Sequence, residues 1–158
     1  MEPPDRNDLP MPGKGSIEIA EQASAAITGL ASASKDGRET GGILLGRGPD
    51  ANGVIHVEIA GDPGPAAERH PDFFLRDLDH ARELADEAWN TSQAIWVGEW
   101  HTHPLGGRAP SPSDLHTYAT LLSAADLDFE LFVAIIVIPG KEGEWDNSEL
   151  CPWLLRLC

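Results

Sequence analysis

The chain is predicted to fold as a single mixed α/β unit, a central mixed β-sheet flanked by helices. Three observations carry that prediction. The run "LFVAIIVI" (residues 131–138) has the length and β-branched content of a strand buried on both faces. Two segments, beginning near Ser16 and near Phe74, repeat apolar residues at helical spacing. Strand-like and helix-like segments alternate along 158 residues, a length that suits one domain.

Residues 1–15 ("MEPPDRNDLPMPGKG") are rich in proline and charge and are expected to form a flexible tail, with the folded domain spanning 16–158. From Ser16, the residues Ile17, Ala20, Ala23, Ile27 and Leu30 fall on one helical stripe, and Ser16 with Glu18 and Glu21 reads as the helix start. "SASKDGRE" breaks that pattern. "TGGILLGR" and "VIHVEIA", separated by the turn residues "GPDANG", read as a hairpin with a longer loop. "GDPGPAAERHPD" is loop by composition. Phe74, Leu78, Ala81, Leu84, Ala85, Ala88 and Trp89 then line one side of a second helix, with Asp77, Asp79, Glu83, Asp86 and Glu87 mainly on the other. "AIWVGEWHTH" reads as a strand and "PLGGRAP" as a loop. A third helix starts at "SPSDLHTYATLLSAA", and a last strand lies at "LCPWLLRL".

The formal charge of −15 argues against general binding to nucleic acid or to anionic lipid, which such a surface repels. No apolar run reaches membrane-spanning length, and the N-terminal stretch has neither the basic start nor the apolar core of a signal peptide. A cytosolic protein is therefore expected. If "CPWLLRLC" is a strand, the odd separation of Cys151 and Cys158 sends them to opposite faces, which disfavours a disulfide between them.

The chemistry concentrates in "GEWHTHP". On a strand, His101 and His103 project from one face while Thr102 turns away. An H-x-H pair alone recurs by chance, and a solvated strand is its commoner meaning. The next segment changes the balance. The Gly- and Pro-rich "PLGGRAP" lets the chain turn back to "SPSD", where Ser111 suits an N-cap, Pro112 the first helical position and Asp114 the first turn. Asp114 is either a plain capping carboxylate or a third ligand beside the two histidines. Three protein ligands would leave a fourth tetrahedral position for water, as in a catalytic zinc site.

His101-x-His103, seven further residues, and Ser111-x-x-Asp114 together resemble the signature of the JAMM (MPN+/JAB) metalloproteases. That family also has an upstream glutamate next to a glycine-containing first strand, which "RETGGILLG" supplies as Glu39. The resemblance runs from about Ser16 onward and implies a single MPN/JAB domain. Within the family, "GEWHTHP" and the loop from Gly61 to Phe74 look most like the short prokaryotic JAB proteins. These are encoded beside ubiquitin-like conjugation enzymes, including those of antiphage operons. The spacer "SAADLDFEL" is too short for the second insertion with which some eukaryotic relatives grip ubiquitin.

The resemblance implies a zinc-dependent isopeptidase or peptidase that cuts a ubiquitin-like protein after its C-terminal tail, deconjugating targets or processing the precursor. His101, His103 and Asp114 would hold Zn2+. Glu39 would be the general base, and Ser111 would donate to the oxyanion or serve only as the helix cap. The implied partners are a ubiquitin-like protein or its conjugate and the activating and conjugating enzymes of the same operon. A cysteine-releasing or small-peptide hydrolase of sulfur-carrier metabolism, and a non-catalytic MPN scaffold, are the alternative readings. Among the remaining polar residues, Glu99 shares the face of His101 and is either turned toward the site or solvated. His116 points nearly opposite Asp114 on its helix, Trp100 reads as core, and His56, His70 and His80 read as surface residues.

Overall fold

The computed structural model describes residues 9–157. The elements in chain order are β1 (Met11–Pro12), β2 (Ser16–Ile19), helix α1 (Glu21–Ala31), β3 (Gly41–Arg47) and β4 (Val54–Ala60). They are followed by β5 (Glu68–Arg69), β6 (Phe74–Leu75), α2 (Leu78–Ser92), β7 (Ile95–Thr102), α3 (Pro112–Ser123), β8 (Phe132–Ile138) and β9 (Glu149–Arg156). Seven strands form one mixed sheet in the order β1-β9-β8-β7-β3-β4-β2, and β5 pairs only with β6. The sheet is curled and carries α1 on one face, α2 and α3 on the other. This is the architecture of a single MPN/JAB domain.

The hairpin of β3 and β4 is antiparallel, and β7 and β8 run parallel because α3 crosses between them. On one face, Ala23, Ile27 and Ala31 of α1 repeat every fourth residue and pack with Leu44, Ile55, Val57, Trp100, Val133, Ile135 and Val137. On the other, Ile43 and Leu45 meet Ala81 and Ala88 of α2, while Phe132 and Ala134 meet Tyr118, Leu121 and Leu122 of α3. Every residue of β8 is buried, as its unbroken apolar run predicts.

Four expectations are corrected. Ser16–Ile19 is a strand paired in parallel with Val54–Val57, so α1 begins only at Glu21 and Ile17 belongs to the sheet. Two β-branched isoleucines favour the extended edge, and the N-cap Ala20 has no polar side chain with which to cap a helix. Phe74 lies in β6, and the loop before it holds β5; α2 starts at Leu78, with Asp77 as N-cap accepting from His80 N–H at 3.1 Å. Leu78 and Trp89 are exposed and stand off the buried stripe. Of the expected tail, residues 1–8 lie outside the described residues, but Met11–Pro12 pairs antiparallel with Leu155–Arg156, and Gly13 N–H donates to Leu154 O at 2.9 Å. Cys158, and with it the reading of the cysteine pair, also lies outside the described residues. No helix among the described residues is long and apolar enough to cross a membrane.

Ile27 is fully buried where α1 crosses the sheet. Ile27→Ala is expected to lower the unfolding free energy by about 2–5 kcal/mol, the sum of lost transfer energy and residual cavity. Urea denaturation followed by circular dichroism measures it.

Candidate metal centre

Strand β7 ends at Thr102, and the chain continues straight into His103, whose N–H donates to Val137 O of β8 at 2.8 Å. His101 and His103 therefore leave the same face at the end of the parallel pair. The loop 104–110 turns back over them: Gly106 takes φ 91°, and its N–H donates to His103 O at 2.9 Å. It delivers Ser111 as N-cap of α3, with Pro112 at the first position. The cap is reciprocal. Ser111 Oγ accepts from Asp114 N–H at 3.1 Å, and Asp114 Oδ2 accepts from Ser111 N–H at 2.8 Å.

This turn of helix aims Asp114 at the histidines. His101 Nε2 lies 3.0 Å from His103 Nε2, and each lies 3.1 Å from Asp114 Oδ2. Glu39, from the segment that enters β3, brings Oε1 to 3.9 Å from His101 Nε2. The ligand atoms of all four residues fall within 4.8 Å of one another.

The donor set fits a divalent metal. His103 Nδ1–H donates to Gly107 O at 2.8 Å, which in the neutral ring leaves Nε2 as a lone pair. The Nδ1 of His101 faces the hydroxyl of Tyr118 at 3.3 Å, so its Nε2 is likewise turned inward. Two imidazole nitrogens and a carboxylate oxygen at mutual distances of 3.0–3.1 Å cannot all be satisfied by protons of their own. Around a tetrahedral ion with bonds of about 2.0–2.1 Å, neighbouring donors stand about 3.3 Å apart, close to the spacing found.

Electrostatics separate the two carboxylates. Burial would raise Asp114, but hydrogen bonds and charge from His101 and His103, with the Ser111 amide, hold it far below the ordinary range. Glu39 is pushed up to about 7, because burial dominates and the two histidines offset it only in part. Its Oε1 is buried with no hydrogen-bond partner among the described residues. His103 is raised: burial opposes its charge, and the bonds to Asp114 and Gly107 outweigh that.

Several residues that hold this arrangement have no motif in the sequence. Thr102 does turn away from the histidine face. There its Oγ1 accepts from Thr40 N–H at 2.9 Å and lies 2.7 Å from Ser34 Oγ, while its N–H donates to Thr40 O at 2.8 Å. Glu99, 2% exposed, is neither a cluster member nor solvated: it forms a buried ion pair with Arg76. A carboxylate in the strand "IWVGEWHT" requires such a counter-charge, but no spacing rule tells which arginine supplies it. Trp100 is fully buried, with Nε1–H donating to Gly61 O at 3.0 Å. His116 is absent from the cluster. His56 bridges Glu18 and Asp50, His80 binds Asp62, and His70 stacks on Phe73.

A curled mixed sheet with this cluster at the end of its parallel pair is an MPN/JAB-type domain. The chain belongs to the Prok-JAB family, the prokaryotic homologs of the JAB domain, whose profile matches residues 19–150. It is 31% identical over 105 residues to a protein named CD-NTase/cGAS isopeptidase from Enterobacter hormaechei subsp. hoffmannii (strain UCI 50). That match covers 66% of this chain and spans 56% of the relative's length. The solution structure of protein DSY2949 from Desulfitobacterium hafniense superposes with a TM-score of 0.61, over 90% of this chain and 89% of that one. At 17% identity the likeness is one of fold.

Thr102→Val keeps the shape of the side chain but leaves the buried Thr40 N–H without its acceptor. A loss of about 1–3 kcal/mol in unfolding free energy is expected from denaturant titration.

Proposed function

We propose that the cluster is the active site of a zinc-dependent isopeptidase or peptidase that cuts a ubiquitin-like protein after its C-terminal tail. One observation carries this reading: three ligand atoms converge at 3.0–3.1 Å beside a buried carboxylate oxygen that no hydrogen bond satisfies. The first three are a ligand set, and the fourth is a base held apart from it. Membership of the JAB family and the name of the Enterobacter relative support hydrolysis of an isopeptide bond, and favour it over the carrier-peptide hydrolase.

In this reading His101, His103 and Asp114 hold Zn2+. Bound there, the ion supplies a water acidic enough to react near neutral pH and polarises the scissile carbonyl. Glu39 takes the proton of the attacking water at its carboxylate and returns it to the leaving amine nitrogen as the C–N bond breaks. Burial suits Glu39 to this exchange, since desolvation favours the protonated carboxyl and so strengthens its hold on the water proton. Ser111 need not choose between its two roles. Its Oγ accepts from Asp114 N–H through a lone pair, which leaves the hydroxyl proton to donate to the oxyanion. Tyr118 and Gly107 fix the ring orientation of His101 and His103.

The partners in this reading are the ubiquitin-like protein, its conjugate, and the activating and conjugating enzymes that made it, working in the cytoplasm within an antiphage operon. The name of the Enterobacter relative points to a nucleotidyltransferase of the CD-NTase/cGAS class as a conjugated target.

The test uses a ubiquitin-like protein joined through its C-terminus to a reporter lysine, with the cut located by mass spectrometry. Glu39→Gln is expected to keep its zinc and lose about 10²–10⁴-fold in turnover; full activity would sink the assignment. His103→Ala should lose zinc by elemental analysis, and an unchanged content would refute the ligand set. Protons compete for both imidazoles, so the wild-type protein should release zinc as the pH falls, as a chelator titration at stepped pH would record.

A further inference from the structure

Glu39 hangs from a stretch of chain with little structure of its own. After α1, a short 3-10 helix runs over Ser32–Asp36 and ends at Gly37 with φ 80°, and β3 begins only at Gly41. With Oε1 unbonded, the carboxylate is not located by hydrogen bonds to that oxygen. Its place depends on the backbone behind it, and that backbone is gripped by one side chain from 30 residues away. Arg69 Nε donates to Glu39 O at 3.0 Å. Arg69 Nη2 donates to Ala33 O and Arg38 O, each at 3.1 Å, and to Asp36 Oδ1 at 3.0 Å, while Nη1 reaches Asp36 Oδ2 at 3.0 Å. Beside it, His70 O accepts from Glu39 N–H at 2.8 Å.

We propose that Arg69 is a positioning residue for Glu39: its guanidinium clamps the backbone of 33–39 from the β5–β6 hairpin and so sets where the carboxylate stands relative to the ligand triad. The planar fork is what the position needs. It carries five N–H donors in fixed directions, and here they serve acceptors on four residues at once. An ammonium has three donors at a single point and cannot span from Ala33 O to Glu39 O. The side chain is 19% exposed, sheltered enough to hold one geometry. The hairpin itself is anchored further along by Arg76 on the buried Glu99 of β7, so the clamp has a rigid base in the strand that carries the histidines. A misplacement of about 1 Å at a reacting group costs on the order of 10²-fold in rate.

The catalytic half of this inference rests on Glu39 being the base, and the experiment separates the two. Zinc-loaded Arg69→Gln, Arg69→Lys and Arg38→Gln proteins are compared by hydrogen exchange, zinc content and turnover of the reporter-lysine conjugate. Arg38 is the control, since it binds the same Asp36 carboxylate through its own guanidinium. Arg69→Gln is expected to speed exchange in the peptide covering 33–40 by about tenfold or more, with strands 95–102 and 132–138 unchanged. Zinc content should match the wild type, and kcat should fall about 10–100-fold at constant KM. Arg69→Lys should lie between the two, and it carries the test if Arg69→Gln does not fold. Arg38→Gln should behave as wild type. Wild-type exchange in 33–40 for both Arg69 variants, or equal loosening by Arg38→Gln, overturns the clamp. Faster exchange with unchanged kcat overturns the positioning role if Glu39→Gln is inactive; if Glu39→Gln is active, it is the assignment of the base that falls.

Discussion

The join between Thr40 and Thr102 is the interaction on which the geometry of the site depends. Its backbone half, Thr102 N–H to Thr40 O, extends the pairing of β3 with β7 past the last ladder residues. Its side-chain half, Thr40 N–H to Thr102 Oγ1, replaces the next backbone acceptor with a hydroxyl. One residue before Thr40 stands Glu39, and the residues flanking Thr102 are His101 and His103. The proposed base, on the approach to one strand, and two candidate ligands, at the end of another, are thus held in register across this pair of threonines. Ser34, in the 3-10 helix that follows α1, closes the arrangement with its Oγ 2.7 Å from Thr102 Oγ1. The join lies fully inside the protein, where an unmade hydrogen bond is expensive, so the relative position of the two strands has little freedom.

An acidic chain with three carboxylates drawn into its interior must answer for each of them, and it does so in three ways. Asp114 is held as an anion by the histidines it faces and by the Ser111 amide at the first turn of its own helix. Glu99 takes a full counter-charge from Arg76. Glu39 receives neither at Oε1, and its affinity for a proton rises accordingly. The same functional group is thus a candidate metal ligand, a structural anchor and, in the proposed reading, a proton carrier within one small region. All three are desolvated, and what distinguishes them is the counter-charge or hydrogen bond that each oxygen meets.

Much of this was legible in the chain because the signals are local. The bounds of β4 follow from "VIHVEIA", and the start of α3 from "SPSD", where cap, proline and acidic first turn coincide. The approach of His101, His103 and Asp114 follows from strand periodicity and a flexible loop. Glu39 was reached only through family resemblance, since a lone glutamate before a glycine pair has no physical signature. The supports carry no local signal for a related reason. Thr102, Tyr118, Arg69 and Arg76 act across 17 to 62 residues of sequence, and nothing in their neighbours reveals a distant partner. The late start of α1 leaves no signal because the Ala20 methyl cannot accept a capping hydrogen bond, and the β5–β6 pairing leaves none because two residues per strand carry no periodicity.

One irregularity of β7 bears on how the chain can vary. Leu44 pairs with Gly98 and Leu45 with Trp96, which leaves Val97 as an extra residue bulged out of the ladder. The bulge reverses the phase of the strand partway along. Val97 and Trp100 both pack toward α1, although they stand an odd number apart, while Glu99 meets Arg76 and His101 meets Tyr118 on the opposite side. The strand counts its residues by parity. An insertion or deletion of a single residue between Ile95 and Gly98 would either turn both histidines into the α1 core or expel Val97 from it. A substitution there leaves the phase of the strand intact, whereas a change of length does not.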